Sequence, residues 1–275
     1  MTISARATRV LTLTATGVLV VIGVAEFIAL WGYIDSQNAI GADFSFFRSI
    51  GERWLDTGQF YLPSQLTGPY VVQTQVHVLY PPMALLLFVP FVWLPAVLWW
   101  VIPIGTFLVA IHGLRPARWA WPFMAAGIAY PPTVSQLIYG NTNMWVAAAI
   151  AAGVRWGWPS VLVLIKPALA PFALVGARSR RWWAALIALG LASVPFGRMW
   201  IDYATAMRNS SLSWMYGLPT LPLMFVPVVA WLARRIDVAT LPTARGSTGP
   251  GGRRGRSLGP IDLGAAQGPD GLVDD

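Results

Sequence analysis

The chain has no cysteine, which excludes disulfide frameworks, thiol nucleophiles and Cys-ligated zinc. Its two histidines, His77 and His112, lie too far apart to form a His-based site by local spacing. Charge is also scarce. Asp, Glu, Lys and Arg make up 11% of the 275 residues, against roughly 25% in soluble domains. A single lysine, Lys166, stands beside eighteen arginines. With 56% hydrophobic residues, the chain lacks the polar groups to cover a surface in water, and it reads as a polytopic membrane protein. The net charge of +8 would point to nucleic acid in a soluble protein. Here the arginines are scattered through short loops and the tail, which fits membrane topology and lipid headgroups.

What is present is a series of hydrophobic runs. Residues 10–31 are long enough to cross a bilayer, which takes about 20 residues, and Arg6 and Arg9 before them put the N-terminus in the cytoplasm. Further spans, broken by prolines, are expected near 83–95, 96–113, 119–135, 142–155, 157–176, 182–197 and 214–233. Several of them are short for a full crossing, so re-entrant pieces in the middle are the alternative. The fold class is therefore all-α: a polytopic helical bundle of about eight transmembrane helices, with both ends cytoplasmic. The transmembrane domain covers 1–237, and a Gly/Pro/Arg-rich tail, 238–275, has the composition of a disordered segment. Residues 32–80 form a large first outer loop. Within it, 44–57 read as an amphipathic helix with Phe47, Ile50 and Trp54 on one face and Arg48, Glu52 and Asp56 on another. Such a helix is expected to lie on the membrane surface, apolar side down. Most of the fifteen tryptophans are assigned to interfacial belts.

Few residues in this background can carry chemistry. Asp43, at the foot of the outer-loop helix, is either its N-cap or a carboxylate poised to take a proton from a hydroxyl, and the two roles are compatible. Arg48, five residues on, faces either a phosphate or lipid headgroups. Lys166 lies in VLVLIKPALAPFAL with no neighbouring counter-charge. An ammonium at mid-membrane costs about 2.5–3.5 kcal/mol, so such residues usually line a bundle interior or wet cavity. It either binds an anionic group such as a phosphate or contacts carbonyls freed by Pro167. Glu26, near the outer end of the first span, either pairs with a loop arginine or lines the same cavity. His77 precedes Tyr80-Pro81-Pro82, and a lone histidine is more often structural than a ligand. Arg198, Asp202 and Arg208 lie in a second outer amphipathic stretch. Arg198 and Asp202 are spaced for an i, i+4 ion pair, while arginines there can also bind a lipid phosphate.

The order of several stretches resembles a known family. A hydrophobic helix is followed by GADFSFFRSIGERWLDTGQFY and YPPMALLLFVPFVWLP, then by PPTVSQLIYGNTN and LIKPALAPFALVGARSRRWW. Across about residues 10–200 this is similar to the GT-C fold membrane glycosyltransferases of family 87, the polyprenyl-phosphate-mannose-dependent mannosyltransferases of actinobacterial envelopes. In this chain Asn141 replaces the usual Gln, and one hydrophobic segment follows residue 200, so the resemblance is to a C-terminally shortened member. It implies transfer of a sugar, mannose, with inversion from a polyprenyl-phosphate donor to an envelope glycolipid or glycan acceptor. The implied partners are donor, acceptor and membrane lipid, without nucleic acid or cofactor; the sequence shows no metal cluster, although Asp43 with a second acid could hold a divalent ion weakly. The implied base is Asp43, the acid of the D-F-x-x-F stretch. The implied substrate-binding set is Arg48, Lys166, His77, Tyr80, Asn141, Asn143 and Arg198. The implied location is the cell membrane, with the site on the non-cytoplasmic side. A transporter or flippase of a lipid-linked sugar, and a non-catalytic membrane subunit, are the competing readings. The lack of an internal repeat favours the enzyme over the transporter.

Overall fold

A computed structural model describes residues 5–211 and 214–234 of the chain. The expected disordered tail, 238–275, lies outside the described residues, as does Arg235. Among the described residues every regular element is helical, and the only β-type pairings are two isolated bridges, Tyr70 with Ser210 and Pro116 with Arg234.

Helix α1 (Ala5–Ser36) is apolar on all sides, and Val10, Leu13, Val21 and Ile28 are exposed along it. One side leans on later helices through a close approach at Gly23, where a Cβ would come within 2.9 Å of the Ala129 Cβ. The chain reverses at Asn38, whose φ of 52° is left-handed, and again at Gly41, which opens α2 (Ala42–Thr57). A short α3 (Pro63–Leu66) and a stretch without regular elements lead to Tyr80. From there prolines set the rhythm. A broken segment, Pro82–Val92, contains α4 (Leu85–Phe88) and is followed by α5 (Leu98–Leu114). Then come α6 (Trp121–Ala129), α7 (Pro131–Tyr139) and α8 (Asn143–Trp156). Two 3₁₀ segments, Trp158–Ile165 and Pro167–Gly176, precede α9 (Arg180–Ser193), α10 (Gly197–Asn209) and α11 (Leu221–Leu232).

Two described helices are long and apolar enough to cross a membrane: Arg6–Ser36, and the continuous Arg180–Asn209 that joins α9 to α10. The runs expected as single spans at 119–135 and 157–176 are each interrupted. Tyr130 is extended before Pro131, and Lys166 leaves helical geometry before Pro167, with φ −122° and ψ 86°. Proline lacks a donor and pushes its predecessor out of the helical region, which breaks both runs.

The first core is aromatic. Phe47 of α2 stacks on Phe88 at 4.8 Å, and Phe91 meets Trp99 edge-on at 4.9 Å. Each such pair adds about 0.5–1.5 kcal/mol beyond the area it buries. The apolar face of α2, with Phe44, Phe47 and Ile50, is thus covered by protein and does not rest on lipid. The expected membrane-surface orientation is overturned for that reason. Trp99 likewise belongs to this core and not to an interfacial belt, being fully buried. A second core forms around α8, where the small residues Ala147, Ala148, Ala149, Ala151 and Ala152 let α5, α11 and the 3₁₀ segments approach closely. Helix α2 and the turn between α7 and α8 both border one cavity.

Candidate functional site

A cavity of about 530 Å³ opens between α2, the stretch 72–80, the α7–α8 turn, Lys166–Ala168 and α10. Asp43, Gln75, His77, Tyr80, Asn141 and Lys166 all line it.

Asp43 enters the cavity because it does not cap its helix. The N-cap of α2 is Gly41, held left-handed at φ 68°, and no side chain caps there. One of the two roles open to Asp43 is thereby removed. Its half-buried carboxylate accepts two side-chain hydrogen bonds, Oδ1 from Gln75 Nε2 at 3.1 Å and Oδ2 from Asn141 Nδ2 at 2.6 Å.

Asn141 lies in the turn between α7 and α8, which is built on Gly140. Gly140 has φ 74°, and a Cβ there would lie 2.7 Å from Trp100 Cζ2. Only glycine meets both the left-handed backbone and the approach of the ring. Two indoles pin the turn. Trp99 Nε1 donates to Gly140 O at 2.7 Å, and Trp100 Nε1 donates to Leu137 O at 2.8 Å. The same turn carries Asn143, whose backbone N–H donates to Asn141 Oδ1 at 3.0 Å.

Lys166 sits at the break between the 3₁₀ segments, so its side chain leaves the helical stack and reaches inward. Its ammonium donates to Asn143 Oδ1 at 2.6 Å and lies 6.0 Å from the centre of the Tyr80 ring. It therefore binds a side-chain amide, and not the carbonyls released by Pro167. Tyr80 OH and Thr142 Oγ1 share a hydrogen bond of 2.6 Å. A carboxylate and an ammonium thus line one cavity, linked through the Asn141–Asn143 turn.

One wall is held by buried Gln65. Its Nε2 donates to Val78 O at 2.9 Å and to Tyr70 OH at 3.1 Å, and its Oε1 accepts from Val78 N at 3.2 Å. Tyr61 OH donates to Tyr80 O at 2.7 Å, and burial raises the Tyr61 pKa, so this hydroxyl keeps its proton. His77 accepts the Gln73 N–H at Nδ1 at 3.0 Å and lies against the Tyr70 ring, so neutral His77 carries its proton on Nε2.

Three arginines proposed for phosphate do not line the cavity. Arg48 lies five residues past Asp43, about 140° round the helix at 3.6 residues per turn. It pairs instead with Glu52 at 2.9 Å on the exposed side. Arg198 and Arg208 are exposed on α10, where the cavity is met by Tyr203 and Met207. The ion pair expected between Arg198 and Asp202 is not formed; Arg48–Glu52 is the one salt bridge among the described residues. Glu26 is half-buried on α1 and is absent from the cavity wall. Sequence reasoning missed Gln75, Gln136 and Thr142. Gln75 carries no periodic signal, but Gln136 is a lone amide in an apolar helix five residues before Asn141, and that was legible.

No protein-family model, no curated protein and no solved structure matches this chain.

Proposed function

We propose that the chain is an inverting membrane glycosyltransferase that moves a sugar, mannose in the first instance, from a polyprenyl-phosphate donor to a hydroxyl of an envelope glycolipid or glycan. The observation that carries this reading is the pairing of Asp43 with Lys166 on one cavity, joined through Asn141 and Asn143. Asp43 takes the proton of the acceptor hydroxyl as that oxygen attacks the anomeric carbon. The bond from that carbon to the phosphate oxygen breaks on the opposite face, and its electron pair leaves with the lipid phosphate. Negative charge grows on the departing oxygen, and the Lys166 ammonium is the group available to offset it. Tyr80 supports the ammonium through its ring face.

In this proposal the chain crosses the cell membrane about eight times, the interrupted segments completing the bundle around α1 and the α9–α10 helix. The cavity faces the non-cytoplasmic side. Arg6 and Arg9 before α1, and Arg178, Arg180 and Arg181 before α9, support that orientation.

The test is transfer of radiolabelled mannose from polyprenyl-phosphate mannose to endogenous acceptors, in membranes carrying wild type or Asp43→Asn at equal expression. Transfer by the wild type that Asp43→Asn abolishes is the expected result. Equal transfer by both removes Asp43 as the base. No transfer by the wild type, with arabinofuranose donors failing too, overturns the reading in favour of a transporter or a non-catalytic subunit.

A further inference from the structure

Gln136 touches neither Asp43 nor Lys166, yet it closes the network that joins them. It stands near the end of α7, and its Oε1 accepts a hydrogen bond from Asn143 Nδ2. Lys166 fixes the sense of that bond. An ammonium only donates, so the Asn143 atom facing it at 2.6 Å must be the amide oxygen. The Asn143 amide nitrogen is then turned away, within a side chain that is 1% exposed, and it needs an acceptor there. Gln136 supplies one.

Without the Gln136 oxygen, the Asn143 amide has two choices. It keeps its place and leaves a buried N–H unpaired, or it turns over and points its NH₂ group at the ammonium. Either choice weakens the hold on Lys166. A lysine side chain is long, with rotatable donors, and it fixes a charge in space only when its head is held. Asn143 takes one of the three ammonium protons, and the Tyr80 ring lies to another side. A held ammonium can present a remaining proton to a phosphate oxygen.

We infer that Gln136 is a positioning residue: through the Asn143 amide it sets where the Lys166 ammonium stands for the departing lipid phosphate. This rests on the glycosyltransferase reading of Lys166, but the contact itself can be tested without turnover.

Lys166 is the chain's single lysine, so an acetylating succinimidyl ester has one side-chain amine to modify, and peptide mass spectrometry separates it from the N-terminus. The full-length protein in detergent would be acetylated as wild type, Gln136→Met and Gln136→Glu. Methionine keeps the length and removes the acceptor, whereas glutamate keeps an acceptor oxygen. Gln136→Met is expected to speed acetylation of Lys166 about tenfold, the scale of one hydrogen bond to a charged group. Gln136→Glu is expected to restore slow acetylation, and carbodiimide labelling of Asp43 should stay at its wild-type rate in both. A wild-type Lys166 rate in Gln136→Met overturns the inference. So does a parallel rise at Asp43, which marks general loosening. A double-mutant cycle keeps the test decisive if packing at position 136 suffers. Asn143→Asp offers Lys166 an oxygen in either orientation, so adding Gln136→Met to it should leave Lys166 unaffected; a further tenfold rise there also overturns the inference. A separate arm adds polyprenyl phosphate to the wild type. Failure of that lipid to slow Lys166 acetylation counts against the glycosyltransferase reading and leaves the Gln136 result to stand by itself.

Discussion

Asn141 donates its side-chain N–H to Asp43 Oδ2 at 2.6 Å, joining residues 98 apart in the chain. The bond fixes one carboxylate oxygen, Oδ2. Asn141→Ala removes a hydrogen bond to a charged group, worth about 1.5–3 kcal/mol, which corresponds to roughly a tenfold to hundredfold loss of transfer. Asn141→Asp should be worse, because a second carboxylate at that distance cannot stay ionised beside the first. Initial rates of mannose transfer by the two variants, at matched expression, measure both effects.

Gln75 holds the other oxygen, Oδ1, at 3.1 Å from a left-handed backbone with φ 62°. If Asp43 is the base, an incoming hydroxyl must take that place. Gln75→Gly is therefore expected to lower KM for the acceptor and leave kcat unchanged. Thermal stability should hardly move. Relief of the left-handed strain, about 1–2 kcal/mol, is offset by the entropy glycine loses on folding, about 0.5–1 kcal/mol, together with the lost exposed hydrogen bond to Asp43, about 0.5–1.5 kcal/mol. A fall in kcat at constant KM would instead make Gln75 a support for the carboxylate.

The site was partly legible before the fold was known. Asp43 and Lys166 stood out because charged groups in so apolar a chain need a reason to be there, while Asn141 and Asn143 entered only through the resemblance of the GNTN stretch to a family motif. Their partners did not stand out. Contact between Gln75 and Asp43 depends on how the stretch 72–80 returns across α2, and no local period encodes that return. Arg48 misled for the opposite reason. Proximity in sequence suggested a shared site, but helical rotation put the two side chains on different faces. The apolar stripe of α2, read as Phe47, Ile50 and Trp54, was expected to rest on the membrane surface, and Phe47 and Ile50 are instead buried in protein. A stripe of Phe44, Phe47 and Ile50 has the same pattern whether it meets lipid or the rings of Phe88 and Phe91. The runs at 119–135 and 157–176 break at Tyr130 and Lys166, where the following prolines already signalled an interruption in the sequence.

The α7–α8 turn should tolerate little. Gly140→Ala places a methyl group 2.7 Å from Trp100 Cζ2 and 3.0 Å from Phe44 Cβ, on a left-handed backbone. The conformational cost alone is about 1–2 kcal/mol, and the contacts add to it. Trp99→Phe keeps most of the ring volume but deprives Gly140 O of its 2.7 Å donor, at a cost of about 1–3 kcal/mol for a buried unpaired carbonyl. Both variants are expected to unfold at lower temperature in detergent. Gly140→Ala is also expected to lose transfer, because Asn141 moves with the turn. A Gly140→Ala protein with wild-type melting and activity would show that the turn does not place Asn141.

Arg48 separates the geometry from the expectation drawn from sequence. Its guanidinium is engaged with Glu52 at 2.9 Å, and both side chains are more than 40% exposed. Exposed i, i+4 pairs contribute about 0.3–0.5 kcal/mol, so Arg48→Ala should leave stability almost unchanged. It should also leave transfer unchanged, since the arginine lies on the face of α2 turned away from the cavity. Lys166→Ala, by contrast, removes the cation linked to Asp43 through the amide pair and should abolish transfer. Steady-state rates for the two variants with one donor preparation decide the matter. Loss of activity in Arg48→Ala with retention in Lys166→Ala would move the phosphate to the outer face of α2 and leave the cavity without its proposed role.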